Sequence, residues 1–346
     1  MNEMPAKPLD DIRNLLRILP DKDLEAIAAV KARDRELTKP PGSLGRLEEI
    51  VEWLAAWQGD PKPVVSRPTV AIFAANHGIA DKGVSAYPQA VTRQMVENFA
   101  AGGAAINQIC AANQLGLKVF DLALDVPTPD VSEEDAFDET ACAATIAYGM
   151  EAVAGGTDLL CIGEMGIANT TIAAILFHAL YGGEPSDWVG PGTGVDGEAL
   201  ERKITCVRKA VERIGGPLDA TGSDGLTLLR QIGGREIAAM TGAIIAARHQ
   251  RVPVLIDGFV ATASAALLHQ TREGSIDHCL FAHCSAEPAH GAVLERLGTR
   301  PLLDLGMRLG EGSGAALAAV LVKTAAQVHR DMATFEQAKV DNKSES

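Results

Sequence analysis

One carboxylate near the C-terminal end of the chain stands between glycines, directly ahead of a long apolar segment. The sequence there is Met307-Arg-Leu-Gly-Glu-Gly-Ser-Gly-Ala315, and Glu311 is its only acid. Glycines let a ligand approach the backbone closely, and a following helix N-terminus offers free N–H groups. Partial desolvation beside a ligand would raise the pKa of Glu311 and improve it as a general base. The alternative is a helix N-cap turn whose acid complements the helix dipole.

A second glycine-rich segment, Gly190-Pro-Gly-Thr-Gly-Val-Asp196, precedes a predicted helix. Successive backbone N–H groups in such a loop can bind an anion, and a plain tight loop is the alternative. A Walker loop is excluded, because no Gly-Lys-Ser/Thr follows. The pattern Gly310, Gly312 and Ala315 indicates a dinucleotide site only weakly, since no clean strand precedes it.

Three further side chains have types and positions that suit a site. His77 follows the first predicted strand, and a positioning role is favoured over acid–base chemistry. Glu164 follows the third predicted strand, where an acid either serves a site or caps a helix. Lys203 lies on a predicted helix, where it either faces the site or is solvated.

The sequence predicts no metal site. Asp257 is followed by glycine, whereas diphosphate-dependent phosphoribosyltransferases carry paired acids there for magnesium and pyrophosphate. Cys279 and Cys284, with His278 and His283 beside them, match no usual zinc spacing. A predicted strand over this segment would also send neighbouring side chains to opposite faces.

The elements that must position these residues alternate along the chain. Apolar runs predict strands over residues 69–74, 117–122, 158–162, 252–257 and 276–283. Alanine-rich runs predict helices over residues 91–114, 170–180, 199–213, 235–249 and 260–270. This pattern predicts an α/β fold, with a parallel sheet covered by helices on both faces. Such sheets bind ligands at the carboxyl ends of their strands, where the candidate residues fall.

The two ends of the chain have a different pattern. Residues 9–57 are predicted to be helices interrupted by Lys39-Pro-Pro-Gly-Ser-Leu-Gly45, and the chain is helical again from about Leu302. We therefore predict a small helical domain from residues 1–60 and 302–346, beside a large α/β domain over residues 61–301. Residues 341–346 are predicted to be a frayed tail.

Composition limits the classes of function. Of 346 residues, 47% are hydrophobic and 22% are charged, as in ordinary globular proteins. A net charge of -14 argues against nucleic-acid binding. No basic amphipathic stretch, signal peptide or membrane span is evident, which predicts a cytoplasmic protein without a membrane partner. The six cysteines form no Cys-x-x-Cys pair and are predicted to be buried free thiols of a reducing compartment.

Several segments together resemble one family, in order and at compatible spacing from about residue 37 to 326. They cover residues 39–47, 76–80 with 83–85, 163–171, 234–242, 253–259, 285–287 and 307–318. The family is nicotinate-nucleotide–dimethylbenzimidazole phosphoribosyltransferase, of cobamide (vitamin B12) biosynthesis. The resemblance implies that nicotinate mononucleotide and 5,6-dimethylbenzimidazole give α-ribazole 5′-phosphate and nicotinate. It also implies a homodimer, a Rossmann-like large domain, a small helical domain from both chain ends, and no cofactor.

The resemblance also implies roles for individual residues. The family's catalytic glutamate falls on Glu311. The implied substrate-binding residues are Tyr87, Glu164, Gly166, Asn169, Thr170, Gly192, Thr193, Gly194, Lys203, Gly258, Phe259, Ser285, Leu309 and Gly310. The chain departs from some members at Asn76, where many carry Asp, and at Tyr87, where some carry a small residue. An aromatic ring at Tyr87 could reshape the pocket for the base.

Two other classes of function are compatible with parts of the pattern. The first is a nucleotide-dependent oxidoreductase on a Rossmann-like sheet, against which the missing fingerprint speaks. The second is a non-catalytic benzimidazole-binding protein, which would have no use for Glu311.

Overall fold

The computed structural model of the chain describes residues 7–192 and 194–341. In chain order the helices and strands are α1 Pro8–Arg17, α2 Leu24–Glu36, α3 Arg46–Gln58, β1 Pro68–Ala74, α4 Ala90–Ala101, α5 Ala105–Asn113, β2 Gly116–Asp121, α6 Glu139–Gly149, β3 Leu159–Met165, α7 Asn169–Tyr181, α8 Pro185–Trp188, α9 Gly197–Arg213, α10 Leu218–Thr221, α11 Gly225–Ile232, α12 Arg235–His249, β4 Val254–Ile256, α13 Phe259–Thr271, β5 Cys279–Phe281, α14 His290–Arg296, α15 Ser313–Asp331 and α16 Phe335–Ala338.

The strands form a five-stranded sheet in the order β2-β1-β3-β4-β5, and every neighbouring pair is parallel. The predicted parallel α/β sheet is therefore confirmed. Each of the five predicted strands exists, and β3 continues beyond the prediction to Met165. Because the strands are parallel, their carboxyl ends meet at one edge, and the loops that follow them can share a site.

Side chains along the strands alternate between two apolar layers, as the period of two requires. Ala71, Phe73 and Leu160 pack into a core with α6, α7, α11, α12 and α13. Val70, Ile72 and Leu159 point the other way, into a core with α2, α3, α5 and α15. Helices therefore cover both faces of the sheet, as predicted.

Helices from both ends of the chain meet on one face of the sheet. Helices α2, α3 and α15 pack together, and the Lys39 ammonium is buried between Asp34 (2.8 Å) and Glu48 (2.7 Å). Helix α1 instead packs on α6, on the opposite face. The predicted division into domains at residues 60 and 302 stays a prediction.

Several local expectations need correction or addition. The single helix predicted over residues 91–114 is two helices, because the chain turns at Gly102, whose φ of 80° ends α4. The strand predicted over residues 276–283 is limited to Cys279–Phe281, since turns precede it. Residues 342–346 of the predicted tail lie outside the described residues.

The cysteines have free thiols, as predicted; Cys284 is half-buried and the other five are buried. Among the described helices, none combines the length and the apolar character needed to cross a membrane.

Candidate active site

A cleft opens at the carboxyl edge of the sheet. It is lined by Glu164, Met165, Gly166, Ile167, Asn169, Thr170, Gly192, Gly258, Phe259, Val260, His283, Ser285, Glu287, Arg308, Leu309 and Gly310. These residues lie at or after the carboxyl ends of β3, β4 and β5, in the first turns of α7 and α13, or in the loops before α9 and α15. The cleft therefore brings together ten of the residues that the family resemblance implied.

Glu311 lies beside this cleft, adjoining Gly310, in a tight backbone arrangement. Gly310, Glu311 and Gly312 have φ values of 81°, 60° and 71°, a left-handed run that is costly for the non-glycine residue. The Glu311 N–H donates to the carbonyl oxygen of Glu164 (3.1 Å), which fixes the segment to the end of β3. Backbone atoms of Gly312 lie so close to Gly163 that a β-carbon there would overlap them.

The Glu311 carboxylate is held in a place that favours its neutral form. The residue is only 5% exposed, and burial, followed by repulsion from Asp257, raises its pKa to about 7. A carboxyl with a pKa near the working pH is a better proton acceptor than a solvated one. The geometry therefore suits a general base, as predicted for a partly dry site.

Asp257 takes the capping role that was the alternative for Glu311. It follows β4, is buried, and its Oδ1 accepts a hydrogen bond from the Ala315 N–H (2.8 Å) in the first turn of α15. Gly312 is the N-cap residue and provides no side-chain bond. Burial raises the pKa of Asp257, and the nearby His283 ring opposes that rise. Asp257 thus anchors the helix behind Glu311.

Glu164 supplies a second carboxyl with an unusual protonation state. Its Oε2 accepts a hydrogen bond from the Asn169 side-chain amide, and Gly310 leaves the room that its Oε1 occupies. Burial, and then repulsion from Asp257, raises the pKa of Glu164 to about 8, although Asn169 opposes the rise. The pKa values of Glu164 and Glu311 are therefore both raised into the neutral range, where a carboxyl can hold or accept a proton.

Two helix N-termini lie at the cleft, on neighbouring helices that follow the adjacent strands β3 and β4. Helix α7 begins at Asn169 and α13 at Phe259, and neither N-cap residue, Ala168 or Gly258, provides a side-chain cap bond. The free N–H groups and positive dipole ends of these helices favour an anion between them. This is the arrangement expected for binding a phosphate group.

Lys203 is buried beside the same end of the cleft. The residue is 1% exposed, and its Nζ donates to Thr170 Oγ1 (2.9 Å) and to the Gly190 carbonyl oxygen (3.0 Å). It also lines a smaller neighbouring cavity together with Gly166 and Asn169. Burial lowers the pKa of Lys203 to about 8, and Glu287 opposes that change. The solvated alternative for Lys203 is therefore wrong.

Other residues implied by the family resemblance lie at the margins of the site or outside the described chain. Thr193 lies outside the described residues, and Gly194 has a φ of 124° in the loop before α9. Tyr87 is 52% exposed, and neither it nor Gly194 lines the cleft.

Ser285 lines the cleft and is held by two hydrogen bonds. Its N–H donates to His290 Nδ1 (2.8 Å), and its Oγ accepts from the Glu287 N–H (3.3 Å).

His77 lies behind the cleft rather than in it. Its Nε2 is 3.1 Å from Glu236 Oε1, and both side chains are fully buried. Its Nδ1 lies 3.4 Å from Thr128 Oγ1. A histidine enclosed in this way agrees with the positioning role favoured from the sequence.

Sequence reasoning gave no site role to some polar residues that line or support the cleft. Glu287 and Arg308 line it, and Arg308 Nη1 donates to the Gly192 carbonyl oxygen (2.9 Å). The only sequence signal for a site role of Glu287 was its position after a predicted strand. No motif indicated such a role for Arg308. Asp257 was noted for its place after a strand and for lacking a second acid, but its contact with Ala315, 58 residues away in the sequence, could not be predicted.

Comparison with known sequences places the chain in a family. The profile of a family described as phosphoribosyltransferase matches residues 19–340. The chain belongs to this family. The resemblance read from the motifs is therefore confirmed.

Close relatives extend over nearly the whole chain. A protein of Rhizobium leguminosarum bv. trifolii is 65% identical over 97% of this chain and 98% of its own length. One of Brucella anthropi is 62% identical over 96% of each chain. Both relatives are called nicotinate-nucleotide–dimethylbenzimidazole phosphoribosyltransferase.

Solved structures agree with the fold. The crystal structure of CobT from Thermus thermophilus is 41% identical, with a TM-score of 0.86 over 92% of this chain and 100% of that one. A second crystal structure from the same organism carries the same enzyme name as the relatives. It is 39% identical, with a TM-score of 0.85 over 93% of this chain and 100% of that one.

Proposed function

We propose that this chain transfers the ribose 5-phosphate of nicotinate mononucleotide to 5,6-dimethylbenzimidazole, giving α-ribazole 5′-phosphate and nicotinate. Relatives that carry the name of this activity are 62% and 65% identical over nearly the full length. The observation that carries the mechanism is the buried Glu311, held between glycines at the edge of a cleft with two helix N-termini.

The proposed reaction requires a general base and does not require a general acid. Nicotinate leaves from a pyridinium, so its departure needs little protonation. The attacking benzimidazole nitrogen becomes cationic unless the other ring nitrogen loses its proton. Glu311, with a pKa of about 7, accepts that proton as the new bond forms. Attack on the face opposite the departing nicotinate converts the β-glycoside into the α-product.

The second carboxyl has a complementary task. With a pKa of about 8, Glu164 is mainly neutral at pH 7 and can donate a hydrogen bond into the cleft. A neutral Glu164 also avoids adding a second full charge beside Glu311 when that group is ionised. We assign Glu164 to orienting the bound substrates and Glu311 to proton removal.

The phosphate of the nucleotide binds at the other end of the cleft. The N-termini of α7 and α13 offer backbone N–H groups there, at Thr170 and at Gly258 and Phe259, while the Asn169 N–H donates to the Gly166 carbonyl oxygen (3.2 Å). Lys203 adds a positive charge beside Thr170. The apolar Leu309 lies at the opposite, Glu311 end, where a flat base would pack.

The family resemblance supports a homodimer, and the sequence pattern, without an evident signal peptide, supports a cytoplasmic enzyme.

One assay separates this function from the two alternatives. The protein is incubated with nicotinate mononucleotide, with and without dimethylbenzimidazole, and released nicotinate is measured. Release that depends on the base supports the transferase. A non-catalytic binding protein would bind the base without release, and an oxidoreductase would bind a dinucleotide instead.

Activity is expected to be independent of divalent metal. The substrate has one phosphate and no pyrophosphate, and Asp257 is followed by Gly258 rather than by a second acid. Within the described residues, no group of three His, Cys, Asp or Glu side chains is arranged to hold a metal. Turnover should be unchanged in excess chelator. A loss of turnover that magnesium restores would contradict this prediction.

Tyr87→Ser is expected to change the choice of base. Tyr87 lies outside the cleft lining, in a loop that by the family resemblance borders the benzimidazole pocket. Its exposed ring can pack on a flat base there, while its hydroxyl bonds a polar substituent. Dimethylbenzimidazole and hydroxybenzimidazole are offered together to the wild type and the variant. The product ratio should shift by roughly ten-fold, as one pocket contact allows. An unchanged ratio would mean that Tyr87 faces away from the base.

A further inference from the structure

Glu287 is a buried carboxylate of the cleft that the mechanism above does not use. It is 5% exposed and lies in the loop between β5 and α14. Its Oε2 is buried without a hydrogen-bond partner among the described residues. The surrounding helix N-termini and Lys203 suit a bound phosphate, and a carboxylate beside them would repel that phosphate. The presence of Glu287 in this place therefore needs a reason.

The position of Glu287 explains its presence. Its Oε2 packs against Gly190, where a β-carbon would overlap it. Lys203 Nζ donates to the carbonyl oxygen of the same residue (3.0 Å). Glu287 and Lys203 therefore both contact Gly190, at the start of the glycine-rich loop. Arg308 holds the loop further on, through the carbonyl oxygen of Gly192 (2.9 Å).

The charges on the two side chains also depend on each other. The groups that contact Lys203 Nζ directly, Thr170 Oγ1 and the Gly190 carbonyl, are neutral. Burial lowers the pKa of Lys203, and Glu287 is the charged group that raises it. Burial raises the pKa of Glu287, while Lys203, the Gly192 N–H and Arg308 lower it. Without Glu287 a buried amine would lose its proton more readily.

We propose that Glu287 is a positioning residue for the phosphate end of the site, which holds the loop at Gly190 and keeps Lys203 in its ammonium form. The proposal deepens the proposed function and rests on it, because the phosphate is that of nicotinate mononucleotide. Glu287 acts through Lys203 and the loop and touches no reacting atom.

The test compares Glu287→Gln with Glu295→Gln, an exposed position on α14 that undergoes the same change in charge. Because kcat/KM reports groups of the free enzyme, its dependence on pH from 6 to 9 is measured with nicotinate mononucleotide as the varied substrate. For Glu287→Gln the fall at alkaline pH should begin about one pH unit earlier, which is roughly a ten-fold loss near pH 8. The KM for nicotinate mononucleotide should rise, whereas kcat and the KM for dimethylbenzimidazole should stay within about two-fold. Glu295→Gln should match the wild type.

Glu287→Asp separates charge from packing, since it keeps the carboxylate and shortens the side chain. Its alkaline limb should return to the wild-type position. A wild-type pH profile in Glu287→Gln would overturn the proposal. So would a loss that is the same at every pH and in both variants, because that indicates packing alone. Thermal unfolding of each variant checks that it is folded.

The binding of inorganic phosphate, measured by calorimetry, distinguishes this proposal from the proposed function. If the wild type releases no nicotinate, the proposed function fails. The Glu287 proposal still predicts that phosphate binds the wild type, and binds Glu287→Gln more weakly as pH rises from 7 to 9. Equal binding to both proteins, or none to the wild type, would overturn it.

Discussion

Glu311→Gln is expected to lower kcat by roughly a hundred- to ten-thousand-fold, the usual contribution of a general base. The amide has nearly the same shape as the carboxyl but cannot accept the benzimidazole proton. The binding of nicotinate mononucleotide should change little, because we propose that its phosphate binds at the helix N-termini and not at Glu311. Steady-state kinetics and calorimetry on the same preparation measure the two effects. Turnover near that of the wild type would remove Glu311 from the mechanism.

The same substitution should stabilise the protein above neutral pH. The folded protein raises the pKa of Glu311 to about 7 from its ordinary value of 4.5, so folding favours its protonated form. Stability is therefore lost as pH rises from about 4.5 to 7, and it stays lower above pH 7. Glutamine carries no such cost. At pH 8 the free energy of unfolding should rise by roughly 1–3 kcal/mol, and at pH 4 the gain should vanish. A destabilised variant at pH 8 would indicate a structural role for the carboxylate.

Gly163→Ala should abolish most activity by displacing the segment that carries Glu311. Gly163 lies in β3, and an added methyl group would overlap backbone atoms of Gly312 and lie 3.0 Å from the carbonyl carbon of Glu311. Neither segment can yield easily, because the strand is central in the sheet and Asp257 anchors the start of α15. A displacement of about 1 Å at a catalytic group can cost a hundred-fold in rate.

Gly291→Ala provides the matched control for this substitution. Gly291 lies in α14, and a β-carbon there meets no heavy atom within 4 Å. This variant should keep wild-type activity and be as stable or slightly more stable. Gly163→Ala should lose at least a hundred-fold in kcat. Its free energy of unfolding should fall by about 1–3 kcal/mol, so that it unfolds at a lower temperature. A value of kcat within a few-fold of wild type would show that the Glu311 segment does not depend on this contact.

The sheet was predictable because parallel strands are buried on both faces and appear as short apolar runs between helices. The position of Glu311 was predictable because glycines on both sides mark a special backbone. The break at Gly102 was missed, since a glycine within an otherwise helical pattern is often tolerated. Strand β5 is shorter than predicted because turns continue up to residue 278. The sequence of residues 276–278 does not distinguish a turn from a strand.

The electrostatics of the site could not be predicted in the same way. Lys203 is polar and lies on an amphipathic helix, so only packing against α7 and the loop at Gly190 shows that it is buried. The high pKa of Glu164 arises from burial and from Asp257, which is distant in sequence. The family resemblance indicated that Glu164 and Lys203 belong to the site, but it said nothing about their protonation.

The anomeric form of the product tests the central claim most directly. The protein is incubated with nicotinate mononucleotide and dimethylbenzimidazole, and the products are identified by NMR. The account predicts α-ribazole 5′-phosphate and nicotinate in equal amounts, with Glu311→Gln producing neither at a comparable rate. A β-linked product, or ribose 5-phosphate released without attachment to the base, would contradict transfer to the base by direct displacement.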